Sequence, residues 1–137
     1  MRFSEIDHKM MARALQLAAK ARYTSSPNPA VGCVVLLGEK IIGEGFTRPP
    51  GGNHAEIEAL LQAENKPQST LYVTLEPCCH QGKTGPCTQA IIDADVKRVV
   101  VAAEDPNPQV SGSGIKQLQD AGIEVELGLM EAQARAL

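Results

Sequence analysis

Tryptophan is missing from these 137 residues, and tyrosine and phenylalanine occur only twice each. A core so poor in rings has to be assembled from Val, Ile, Leu and Ala, which suits an α/β domain, and the length suits one compact unit. Basic clusters are missing too: the formal net charge is -3 and Lys and Arg nowhere crowd together. Nucleic-acid affinity rests on neutralising phosphates, so the chain is read as having no nucleic-acid partner and acting on a small molecule. No apolar run is long enough to span a bilayer, and the amino-terminal "MRFSEIDHKM" has no apolar secretory core, which predicts no membrane partner and a cytoplasmic location. Cysteine is scarce but unevenly spread. Of four, three fall within the ten positions from Cys78 to Cys87, and in a reducing compartment such crowding points to metal rather than to disulfides.

In residues 5–22, Ile6, Met10, Ala14, Leu17 and Ala18 recur at helical spacing and predict an amphipathic helix. "YTSSPNPAVG" ends it, because its two prolines cannot continue a helix. "VGCVVLL" and "IIGEGF" read as strands, and the short "GEK" between them predicts an antiparallel hairpin. "TRPPGGN" is a loop, followed by a helix in "HAEIEALLQAE" with Asn53 placed to cap it and Ile57, Leu60 and Leu61 facing inward. Strand "TLYVTL", helix "CTQAIIDAD", strand "RVVVAAE", helix "GSGIKQLQDAG" closed by Gly122, and strand "IEVELGL" follow in order. The closing "MEAQARAL" reads as a helix without a capping signal, so a longer natural chain is expected. Strands alternating with helices after the hairpin predict a mostly parallel sheet covered on both faces.

Catalytic zinc keeps three protein ligands and an open fourth position, whereas structural zinc is closed by four. His54, Cys78 and Cys87 can supply three. His54 falls in the first turn of its helix and Cys87 at the start of another, where the backbone field favours thiolate and hydroxide. Glu56, two residues beyond His54, has the reach to contact a water on the metal without binding the metal. His-x-Glu followed by Pro-Cys-x-x-Cys is the pattern of zinc deaminases, with the Glu as general acid/base. Here "HAE" and "PC" match, but the second cysteine follows nine positions after the first instead of three, so the loop "CHQGKTGP" is inserted between ligands. A loop at the mouth of a site is a natural place for substrate contacts.

Several of these residues have plainer readings. His80 could join His54, Cys78 and Cys87 in a closed structural site, which would leave Glu56 without a purpose. Adjacent side chains of an extended segment point apart, so Cys79 should face the core if Cys78 faces the metal. Cys33 reads as a buried thiol and His8 as part of a solvated helix face. The glycines of "SGSG" can cradle phosphate at a helix start, or simply form a loop and cap. "PNP" and "DPNP", taken alone, are rigid turns.

In this order, "SSPNPAVGCVV", "HAEIEAL", "YVTLEPC", "GKTGPC" and "EDPNPQVSGSGI" resemble the deaminase domain of the bacterial riboflavin-biosynthesis protein, diaminohydroxyphosphoribosylaminopyrimidine deaminase. The resemblance covers essentially the whole chain. It implies a cytidine-deaminase-like fold, a three-layer α/β/α sandwich on a mixed five-stranded sheet that opens with a β-hairpin. Residues 1–137 would be one zinc-dependent deaminase domain, without the NADPH-dependent reductase domain that commonly follows it. One Zn2+ per chain would be held by His54, Cys78 and Cys87, with Glu56 shuttling protons. Asn28, His80, Lys83, Asp105 and Asn107 would bind a pyrimidine ribonucleotide. The implied reaction is hydrolytic deamination at C2 of the pyrimidinone, and the implied assembly a homo-oligomer. The chain departs from the family pattern at Thr47 and Glu58, where histidine is frequent, at Cys79, where a small residue is, and at Ser113, where a basic one is. Deamination of another base and a non-catalytic zinc-stabilised scaffold are the competing functions; retention of both Glu56 and the loop residues speaks against the scaffold.

Overall fold

The computed structural model describes residues 2–25, 29–79, 87–108 and 110–137. The first helix, α1 (Glu5–Ala21), starts at Ser4, whose hydroxyl accepts from the Asp7 N–H while the Asp7 carboxylate accepts from the Ser4 N–H. This reciprocal capping box satisfies two donors that a helix start leaves bare. Its fully buried stripe is Met11, Ala14, Leu17, Ala18 and Ala21, one step round from the expected face, so Ile6 and Met10 are only half-buried at the edge of the core.

Five strands follow: β1 (Gly32–Leu37), β2 (Lys40–Phe46), β3 (Thr70–Leu75), β4 (Arg98–Ala103) and β5 (Glu124–Leu127). They form a single sheet in the order β2-β1-β3-β4-β5. The hairpin is present, but β1 is antiparallel to both β2 and β3, and only the β3–β4 and β4–β5 pairs are parallel. The sheet is therefore evenly mixed rather than mostly parallel. The cause is the crossover through α2 (Ala55–Gln62), which carries the chain from edge strand β2 past β1, so that β2 and β3 run the same way with β1 reversed between them.

Alternation along the strands divides the core. Cys33, Val35, Leu71, Val73, Val99 and Val101 face α2, α3 (Cys87–Asp93) and α4 (Ser113–Asp120), whereas Val34, Leu36, Tyr72, Val100 and Ala102 face α1 and α5 (Glu131–Arg135). Strands buried on both faces read as continuous apolar runs, which is why "VVV" at 99–101 needs no polar partner residue between its members. The result is the expected three-layer α/β/α sandwich. Among the described residues no helix is long and apolar enough to cross a membrane.

On one side α2 lies unusually close to β2. A Cβ at Gly43 would stand 2.0 Å from the Ala59 carbonyl oxygen and one at Gly45 2.3 Å from that of Ala55. Alanines 55, 59 and 63 accordingly turn inward with Leu60, and Leu61, expected inside, is exposed. On the other side α1 is fastened by a polar cluster. The buried Asp7 carboxylate accepts from the Tyr72 hydroxyl at 2.6 Å and from both terminal nitrogens of Arg98 at 2.9 and 3.0 Å.

Burial opposes ionisation of Asp7, but the hydrogen bonds from Arg98, Tyr72 and the Ser4 amide outweigh it and hold the carboxyl well below its usual range. A depressed carboxyl stabilises the fold above its unfolded value, near 3.8, and that contribution disappears as pH falls through the folded value. We expect the stability difference between the wild type and Asp7→Asn to be constant above about pH 5 and to narrow steadily below it. Urea titrations of both proteins at several pH values measure this; a gap that widens in acid would refute it.

Candidate active site

Three soft donor groups meet where the amino ends of α2 and α3 face the carboxyl end of β3. His54 is not in the first turn of α2 but is its N-cap, with extended backbone and no side-chain capping bond, and Asn53 lies one residue outside the helix. An imidazole with no capping duty is free to turn into the site. Its Nδ1 stands 3.1 Å from the Cys87 sulfur and 3.7 Å from the Cys78 sulfur, and all three atoms lie within 4.8 Å of one another. Cys78 follows β3 by three residues, Cys87 opens α3, and the Thr88 N–H donates to the Cys78 carbonyl at 3.1 Å.

This set fits zinc. Ligand atoms at about 2.0–2.3 Å from a tetrahedral zinc stand roughly 3.5–3.8 Å apart, and one imidazole with two sulfurs is a soft donor set of the kind zinc takes. The protonation of the thiols agrees. The Cys87 thiol hydrogen bond to Cys78, aided by the Cys87 amide and His54, pulls the Cys78 thiol down to about 5 against its burial. Cys87 is pushed strongly up, first by that same shared hydrogen bond, then by burial and by the nearby Glu56 charge. The two sulfurs thus share one hydrogen bond, which favours ionisation of Cys78 and opposes that of Cys87.

A hollow of about 180 Å³ lies against the cluster, lined in part by His54, Glu56, Cys78, Glu76, Thr47 and Asp105. Glu56 is only 4% exposed, and burial pushes its carboxyl up to about 7. Beneath it the Cys33 thiol is fully buried and held neutral by burial and by the Glu56 charge, as the buried-thiol reading required. The arrangement places a carboxyl that can exchange a proton near neutral pH beside an open-sided N/S/S cluster.

A family model for the cytidine and deoxycytidylate deaminase zinc-binding region matches residues 4–103. The chain belongs to that deaminase family. The riboflavin biosynthesis protein RibD of Haemophilus influenzae is 52% identical over 136 residues, which cover 98% of this chain and 37% of that protein. A diaminohydroxyphosphoribosylamino-pyrimidine deaminase of Buchnera aphidicola subsp. Schizaphis graminum is 48% identical over 130 residues, covering 94% of this chain and 88% of that one. RibD of Acinetobacter baumannii superposes with a TM-score of 0.93 at 49% identity, over 98% of this chain and 39% of its own. The chain therefore spans well under half of the RibD proteins and most of the Buchnera deaminase. Both the resemblance to the riboflavin deaminase domain and the cytidine-deaminase-like fold hold.

The remaining residues expected in the deaminase site are placed unevenly. Asp105 is half-buried and lines the hollow, whereas Asn107 is exposed, its N–H donating to Asp105 Oδ1 at 2.9 Å in a tight turn. Asn28, His80 and Lys83 lie outside the described residues, and so does the suggestion of His80 as a fourth ligand. Cys79 does not enter the core. It is half-buried in a small recess with Glu76, Pro77, Asp105, Val110 and Gly114, because β3 ends at Leu75 and strand alternation does not extend to residues 76–79.

The largest omission is Glu76, a buried carboxylate between β3 and Cys78. Its Oε1 accepts from the amides of Asp105 and Gly112, and its Oε2 from those of Gly114 and Ile115. The glycine amides of "SGSG" are thus occupied, which removes them as a phosphate cradle. The clue was present in the sequence: a glycine-rich helix start leaves bare donors, and a lone acid at the end of an apolar strand is a fitting acceptor.

Thr47 is buried in the wall of the hollow. Its hydroxyl accepts from the Val31 N–H at 2.9 Å and lies 3.3 Å from the Pro29 carbonyl, so it fastens the segment entering β1. Thr47→Val keeps the shape and orphans the Val31 donor, at a cost of roughly 1–3 kcal/mol. We expect a lower urea midpoint with an unchanged m-value; a midpoint equal to wild type would refute the role.

Proposed function

We propose that this protein hydrolytically deaminates 2,5-diamino-6-ribosylamino-4(3H)-pyrimidinone 5′-phosphate to 5-amino-6-ribosylamino-2,4-pyrimidinedione 5′-phosphate and ammonia, a step of riboflavin biosynthesis in the cytoplasm. The observation that carries this reading is the convergence of His54, Cys78, Cys87 and Glu56 on one hollow in a chain whose near relatives include a deaminase of that pyrimidine along most of its length.

In this reading His54, Cys78 and Cys87 would hold one zinc ion per chain, in a homo-oligomer. Bound there, zinc supplies Lewis acidity that brings the pKa of a water into the neutral range. The buried Glu56 carboxylate orients the attacking water and accepts its proton. As the water oxygen adds to C2 of the pyrimidinone, Glu56 passes that proton to the ring nitrogen. It then relays the remaining proton of the added hydroxyl to the exocyclic amino group. The C2–N bond breaks, ammonia leaves, and C2 becomes a carbonyl carbon. Asp105, at the wall of the hollow, offers acceptor oxygens to ring N–H groups or sugar hydroxyls. Asn28, His80, Lys83 and Asn107 are assigned to the substrate with it. The cationic Lys83 and the donor His80 suit the phosphate.

Ammonia release from the pathway substrate, with cytidine as control, tests the reaction. The zinc-loaded wild type should release ammonia from the pathway substrate alone. Release from neither, with zinc bound, would favour a scaffold. Glu56→Gln should retain zinc and lose turnover by roughly 10²–10⁴-fold, and turnover equal to wild type would remove Glu56 from the mechanism. Cys87→Ser should lower zinc content by elemental analysis together with activity; full zinc occupancy would exclude Cys87 as a ligand.

A further inference from the structure

Glu76 stands two residues before Cys78, and its carboxylate reaches across to the loop that carries Asp105. An ionised carboxylate offers about four acceptor sites. Here four backbone N–H groups occupy them, from Asp105 at 3.0 Å, Gly112 at 3.0 Å, Gly114 at 2.8 Å and Ile115 at 3.2 Å. Such charge-assisted bonds are among the stronger kind. Gly114 and Ile115 are the second and third residues of α4, whose N-cap is Gly112, with φ of 84° and no side chain to offer. Glu76 therefore supplies, from another element, the cap that α4 lacks.

The fit is close. A Cβ on Gly114 would stand 2.1 Å from the Pro77 carbonyl oxygen, so only glycine lets the start of α4 rest on the Glu76–Cys78 segment. The backbone adds to the tie, with the Glu76 N–H donating to the Ala103 carbonyl at 2.9 Å. Asp105 is thereby held at its own amide by Glu76, while its Oδ1 is engaged by the Asn107 amide. One side chain joins the segment bearing a metal-ligand candidate to the segment bearing a substrate-contact candidate.

On the basis of the deaminase reading, we propose that Glu76 is a positioning residue, which sets the Asp105 loop against the hollow and so governs substrate affinity rather than metal affinity. Glu76→Gln is the test, because it exchanges one acceptor oxygen for an NH2 donor aimed at N–H groups. In the zinc-loaded variant we expect KM for the pathway substrate to rise roughly tenfold or more, consistent with loss of hydrogen bonds to a charged group. We expect kcat and zinc content to stay near wild type, and the amides of Gly112, Gly114 and Ile115 to lose protection from hydrogen exchange. An unchanged KM, or a loss confined to kcat or to zinc, would overturn the proposal.

Hydrogen exchange of the wild type provides a second measurement in case the variant does not fold. Slow exchange at Asp105, Gly112, Gly114 and Ile115 supports the tie, and exchange at open-loop rates overturns it. A wild type inactive on the pathway substrate would defeat the deaminase reading itself, whereas an active wild type with an indifferent Glu76→Gln defeats only the role of Glu76.

Discussion

Where β2 passes beneath α2 it carries glycine at positions 43 and 45, and the carbonyl oxygens of the helix fill the space that side chains would occupy. That contact sets the height of α2 above the sheet, and with it the position of His54, which stands at the N-cap position of the helix. The two sulfurs that His54 meets come from residues 24 and 33 positions further along the chain. A metal site tolerates errors of only about half an ångström in its ligands. The helix must therefore be placed by rigid backbone contact. Alanines on its inner face serve the same end, since a larger side chain would lift the helix and carry the imidazole away from the sulfurs.

Two buried carboxylates flank the site, and their surroundings give them opposite characters. Glu76 is enclosed by four backbone amides that donate to its two oxygens, so it acts as a structural tie. Glu56 is buried against an apolar sheet and faces a hollow, and desolvation raises its carboxyl toward neutrality. One carboxylate is thus taken up by backbone donors, while the other is left open to the hollow. The buried Asp7, Tyr72 and Arg98 cluster belongs to the first kind and lies on the opposite face, where it holds α1 in place.

Most elements could be read from local pattern, because a helix or strand in this chain announces itself by spacing and by the prolines and glycines between. The hairpin, the three layers and the zinc motif were all accessible this way. The direction of β1 relative to β3 was not, since it depends on a crossover that skips a strand. Leu61 was assigned inward because periodicity ranks residues by hydrophobicity, whereas the close approach of α2 reserves its inner face for alanines. Cys79 was assigned to the core by extending strand alternation past the end of β3.

The sequence alone determined which groups could meet: "HAE", "PC" and a later cysteine supply a nitrogen and sulfur donor set with an acid beside it, because donor type is a property of the residues themselves. Tertiary structure decided how those groups are held. That Glu76 caps a helix 36 to 39 residues away, that Asp105 faces the hollow while Asn107 does not, and that Thr47 fastens Val31 are facts of non-local hydrogen bonding. Each depends on which donors the folded chain leaves bare, and no local pattern records that.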